Sequence, residues 1–208
     1  MITAIRVALV SRAAHHAAIV TVALWVIAAA TGRRSLEIDL SARWPPTKLP
    51  VVELCAILGA TLLALVTRPR FWEWDRTSGG RRPRMVAAVT ATAGIVLPAL
   101  CVPAVVPWLP AGASWTWVLA NAVTLSAAVQ LLAPLLTPLA GGGIVLVCWL
   151  GLGVVTNVAP GVWSPLNSYQ EPESNWVLAV LLMLTAITVH ARTCGRTTWS
   201  YRQAGKEQ

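Results

Sequence analysis

The chain has little charge for its length: sixteen Lys and Arg and eight Asp and Glu among 208 residues. Lysine is nearly absent, only Lys48 and Lys206, and there are three histidines and one phenylalanine. A segment of the form GxxxxGK[ST] is missing, so the chain does not grip nucleotide phosphates in the P-loop manner. HExxH, GxSxG and the EExxxR pair of intramembrane metalloproteases are missing too, which removes the common hydrolytic centres. His15 and His16 begin one apolar run and His190 ends another, which argues against a tight histidine metal set. Four cysteines, Cys55, Cys101, Cys148 and Cys194, are scattered without a CxxC pair. They read as small buried hydrophobes, and no disulfide is required.

What is abundant is apolar surface. Hydrophobic residues make up 56% of the chain, and the mean hydropathy is +0.66. Apolar runs long enough for a hydrocarbon core recur along the whole length, which predicts an all-α integral membrane protein. A sequence pI near 10.4 invites a nucleic-acid reading. The basic residues lie in segments flanking the apolar runs rather than on a soluble face, which argues against it. Fourteen of the sixteen basic residues are arginine, and with abundant Ala, Val and Gly this looks like the coding bias of a GC-rich bacterium.

Hydropathy places six spans at about residues 13–30, 51–67, 85–107, 115–136, 143–158 and 175–190, in a single transmembrane domain covering 1–208. A basic leader, residues 1–16, precedes them and could lie along the inner leaflet. The first span also resembles a signal peptide, with a positive front and Ala28-Ala29-Ala30 behind its apolar middle. An uncleaved helix fits better, because further spans follow. Pro98, Pro103 and Pro107 predict a kinked or broken second half of the third span. The stretch Thr137 to Gly143 reads as a short loop. Between the first two spans, Leu36, Ile38 and Leu40 alternate with Glu37 and Asp39, as in a short strand or an amphipathic turn.

With both termini inside, the inner segments hold twelve Lys and Arg and the outer ones four, namely Arg33, Arg34, Arg43 and Lys48. That asymmetry predicts a multi-pass protein of the bacterial cytoplasmic membrane with cytoplasmic ends. Its strongest contributor is residues 68–84, which hold six arginines: Arg68, Arg70, Arg76, Arg81, Arg82 and Arg84. Trp72, Glu73, Trp74 and Asp75 lie among them, and a topology signal alone does not need acids or tryptophans. Helix-start acids and aromatic anchors suit a docking surface; an ordinary inner loop whose arginines meet anionic headgroups is the plain alternative.

Inside the spans, Glu53 is nearly the only charge, and an intramembrane acid is expensive enough to face protein or water. It is a candidate substrate or proton contact, or a hydrogen-bonded carboxylate near the outer surface. Asn121 and Gln130 in the fourth span join it as candidates for a polar pathway, or serve as interhelical glue.

These features together resemble the membrane-spanning permease subunit of a type-2 ABC exporter, of the compact kind common in actinobacteria. The resemblance rests on six spans behind a basic leader, on the pattern Glu73, Asp75, Arg76, Thr77, Arg81, Arg82 and Arg84, on Asn121 early in span four, and on Trp163-Ser164-Pro165 before the last span. Where relatives place arginine before that asparagine, this chain has Ala120. The resemblance implies that 68–84 is a cytoplasmic coupling loop in which Trp72, Glu73, Trp74, Asp75 and Arg76 dock on a separate P-loop ATPase. It implies a second permease, identical or different, as partner, with membrane lipid around it and no nucleic acid. It implies no cofactor on this chain, no enzyme activity of its own, and ATP with magnesium held by the ATPase. The expected cargo is a hydrophobic or amphipathic small molecule or peptide, such as an antibiotic exported for self-resistance. Two alternatives stay open: an ion-coupled carrier working through Glu53, and a non-transporting immunity or assembly protein.

Overall fold

The computed structural model describes residues 14–31, 34–40, 46–69, 81–106, 115–159, 164–166 and 175–197. These are mostly helical. In chain order the elements are α1 (Ala14–Thr31), β1 (Ser35–Ile38), β2 (Thr47–Pro50), α2 (Val51–Val66), α3 (Arg81–Ala99), α4 (Cys101–Val105), α5 (Thr116–Leu132), α6 (Pro138–Val158) and α7 (Trp176–Thr193). Among the described residues, four stretches are long and apolar enough to cross a membrane: α1, Arg81–Val105, α6 and α7. Their outward residues, among them Ile19, Val26, Val147, Val158, Val177 and Leu181, are exposed and apolar, a surface suited to hydrocarbon rather than water.

The two remaining apolar helices are shorter and lie inside. α2 has 16 residues and α5 has 17. At 1.5 Å per residue that is about 24–26 Å, under the ~30 Å of a hydrocarbon core. Ten residues of α2 and eleven of α5 are buried, more than in any longer helix. The longer helices sheathe them. α5 contributes to all three apolar clusters: Val118 and Ala122 beside α1, α2 and α4; Leu125 and Val129 beside α2 and α6; and Ala127 beside Ile95 of α3 and Ala186 of α7.

The helix ends follow local chemistry. Pro98 and Pro103 remove the amide donors that would bond the carbonyls of residues 94 and 99, and α3 stops at Ala99, with a turn at Leu100 before α4. Trp25 Nε1 of α1 donates to the Leu97 carbonyl in that last turn at 3.0 Å. α3 begins at Arg81, four residues before the expected span, so Arg81, Arg82 and Arg84 form its first turn rather than the end of a loop. Pro83 is tolerated there because first-turn amides have no intrahelical acceptor. Asn175 caps α7, its side chain accepting from the Leu178 amide at 3.3 Å.

The expected loop from Thr137 to Gly143 is helical. Thr137 is the N-cap of α6, with Oγ1 accepting from the Ala140 amide at 3.2 Å, and Pro138 occupies the first position. A hydroxyl cap followed by proline is a strong start signal, so it overrides the three glycines behind it. Replacing Thr137 with valine is expected to cost about 1 kcal/mol and to fray this turn. Faster amide hydrogen exchange at Ala140 and Gly141, with the rest of α6 unchanged, is the check.

At the opposite end, β1 and β2 form an antiparallel hairpin with Leu36 opposite Leu49 and Glu37 opposite Lys48. The Glu37–Lys48 ion pair, at 3.2 Å, is about half exposed and contributes little. β2 runs directly into α2, and the Val51 amide donates to the Arg34 carbonyl at 3.1 Å. The hairpin also sits against α6. Ile38 and Leu49 press on Gly153, and the Leu40 amide donates to Asn157 Oδ1 at 3.0 Å.

Candidate functional site

Glu53 lies in the first turn of α2, where the hairpin hands over to the helix. It is 1% exposed, as buried as the aliphatic core residue Ile57. Asn121 Nδ2 of α5 donates to Glu53 Oε1 at 2.8 Å, and Trp149 Nε1 of α6 donates to Glu53 Oε2 at 2.7 Å. Asn121 and Trp149 are each 2% exposed. One carboxyl group therefore ties three helices together, and each of its oxygens meets a neutral donor. Both oxygens of the carboxyl therefore have a donor, as buried acceptors usually do. Among the described residues no group of three His, Cys, Asp or Glu is placed to hold a metal ion.

A second polar node lies towards the other end of the same helices. Gln130 is 2% exposed, and its Nε2 donates to the Ala60 carbonyl of α2 at 3.1 Å. The Gln130 carbonyl in turn meets His190 Nε2 of α7 at 2.7 Å. A backbone carbonyl only accepts, so Nε2 carries the proton in this contact. Gly94 of α3 makes room for the amide: a Cβ there would lie 2.7 Å from Gln130 Cδ. Beside this node is a cavity of about 20 Å³, lined in part by Thr67, Arg68, Thr90, Gln130 and His190. Thr67 and Thr90 donate their hydroxyl protons to the carbonyls of Leu63 and Val86 on their own helices, so towards the cavity they act as acceptors. The volume suits about one water.

The sequence candidates thus divide. Glu53 and Asn121 meet; Gln130 sits nine residues further along α5, about 13 Å away by helix rise, and belongs to the other node. Trp72, Glu73, Trp74, Asp75 and Arg76 lie outside the described residues. Trp149 was not a sequence candidate. Its signal is a tryptophan in the middle of an apolar run, whose indole N–H needs an acceptor once buried. His190 drew notice only in weighing a histidine metal set, and its contact with Gln130 needs the fold to be seen.

Comparison of the chain with protein-family models, with curated proteins and with solved structures returned no match.

Proposed function

We propose that the chain is the membrane subunit of a transport complex, a permease of the type-2 ABC exporter kind, powered by a separate P-loop ATPase and completed by a second permease. The supporting observation is where the segment holding Trp72, Glu73, Trp74, Asp75 and Arg76 is attached. It joins the end of α2, one of the two central helices, to the start of α3, and α2 also carries Glu53 at its far end. A force applied to that segment would reach the centre of the bundle rather than its lipid-facing sheath. The six apolar helical stretches, the absence of a nucleotide motif, and an acid-and-tryptophan patch between arginines fit a conduit whose energy comes from elsewhere. On this reading both termini and residues 68–84 face the cytoplasm, and the cargo is hydrophobic or amphipathic.

The test is affinity capture of the tagged full chain from its native membrane, followed by ATPase assay. The native chain is expected to bring down an ATP-hydrolysing partner. Glu73→Arg combined with Asp75→Arg is expected to lower that recovery at least tenfold, because two charge reversals at a docking patch set like charges against whatever cations pair with Glu73 and Asp75. Undiminished recovery in the double variant would sink the assignment. One observation favours a second reading, an ion-coupled carrier: a carboxyl group buried in an apolar helix. Transport that continues without ATP and stops in Glu53→Gln would select it.

A further inference from the structure

We propose that the first turn of α3 is a binding surface for anionic phospholipid, with Arg81, Arg82 and Arg84 holding the headgroup phosphate. All three arginines are exposed, and no acid shares their turn. Directly behind them on the same helix, Met85 and Val89 are 64% and 67% exposed. Arg81, Met85 and Val89 follow one another at four-residue steps and so share a stripe, which continues through the exposed Val96 and Leu100. The stripe is apolar from Met85 onward and cationic one turn before it. Hydrocarbon contact therefore starts at Met85, and Arg81, Arg82 and Arg84 lie within about one helical turn outside it, towards headgroup depth.

The position is also electrostatically unfavourable without a partner. Three cations occupy the end of a helix whose own dipole is positive. A phosphate there pairs with the arginines and with the dipole at once. Arginine's planar fork suits phosphate oxygens. Free phosphate shares that chemistry but has no use for Met85 and Val89, and this commits the surface to lipid. The proposal does not depend on which motor, if any, drives the complex.

The test uses the purified full chain in detergent, with retained lipid counted by native mass spectrometry against added phosphatidylglycerol or phosphatidylcholine. The chain is expected to prefer phosphatidylglycerol by roughly tenfold, well within the ~5-fold that each arginine near an anionic surface can contribute. Arg81→Gln, Arg82→Gln and Arg84→Gln together are expected to bring the preference to about threefold or less, with phosphatidylcholine retention unchanged. The corresponding triple lysine variant, which guards against misfolding of the glutamine variant, is expected to keep at least half of it. Lys48→Gln, a charge removed at the hairpin end, is expected to leave it intact. The idea is overturned if the glutamine variant keeps the full preference, if Lys48→Gln erodes it equally, or if millimolar inorganic phosphate strips the lipid. Loss of ATPase capture in the glutamine variant with lipid preference unaltered would also overturn it, since the arginines would then serve a protein partner.

Discussion

Glu53→Leu is expected to lower the stability of the bundle by about 2–4 kcal/mol, the largest effect of any single change near the hairpin end. The substitution removes no apolar contact worth the name. Its cost is that Asn121 Nδ2 and Trp149 Nε1 lose their acceptor while still fully enclosed. A buried donor that loses an acceptor costs about 1–3 kcal/mol, and two contacts to the carboxyl are lost. Membrane surroundings argue for the lower half of the summed range, because the unfolded chain in lipid also finds partners for its polar groups. Trp149→Phe removes one donor and leaves Glu53 bonded to Asn121, so about 1–2 kcal/mol is expected. The combination Glu53→Leu with Trp149→Phe should cost less than the sum of the two, since the second change removes a donor that the first has orphaned. Reversible unfolding of the purified chain in mixed micelles measures all three. If Glu53→Leu stays within about 0.5 kcal/mol of the native chain, the carboxyl is not holding α2, α5 and α6 together, and its burial needs a functional reason instead.

That coupling also shows where sequence reasoning stops. Glu53 stands out on sight because a charge in an apolar run is rare, and Asn121 is visible as a polar residue in another run. Nothing in the one-dimensional pattern says that they meet, because helix order around a bundle depends on which faces pack. Trp149 was missed for a different reason. Eleven tryptophans are spread along the chain, most of them where an interfacial belt would put them, and hydropathy does not distinguish a ring at the interface from one in the core. The strand β1 is half legible in the alternation of Leu36 and Ile38, whereas β2, Thr47–Pro50, is a four-residue segment defined by its partner rather than by its composition. The acid-and-tryptophan segment 72–76 carries the functional proposal from sequence, with the structure contributing only the two helices that flank it.

The glycines at the start of α6 give the sharpest contrast between neighbours. Read as sequence, Gly141, Gly142 and Gly143 suggest a turn; in the helix they have separate roles. A Cβ on Gly142 would lie 2.7 Å from Thr61 Cγ2 and 3.0 Å from Thr61 Cβ, closer than real carbon pairs come. Thr61 has little freedom to yield: its hydroxyl donates to the Ile57 carbonyl at 2.7 Å, and its Cβ is fixed to the backbone of α2. Gly142→Ala must therefore push α6 away from α2, straining the Trp149–Glu53 bond further along, and a loss of about 1–3 kcal/mol is expected. At Gly143, apart from its own neighbouring residues and the local helix backbone, no atom lies within 4 Å of the same hypothetical carbon. Gly143→Ala adds helix propensity and meets nothing, so a gain of about 0.5–1 kcal/mol is expected. Thr61→Ala removes the crowding Oγ1 and Cγ2 and should restore part of the loss in Gly142→Ala while doing nothing for Gly143→Ala. Equal effects of the two alanine substitutions on unfolding would mean that α6 does not cross α2 at Gly142. The clamp at Glu53 would then have to hold the two helices by itself.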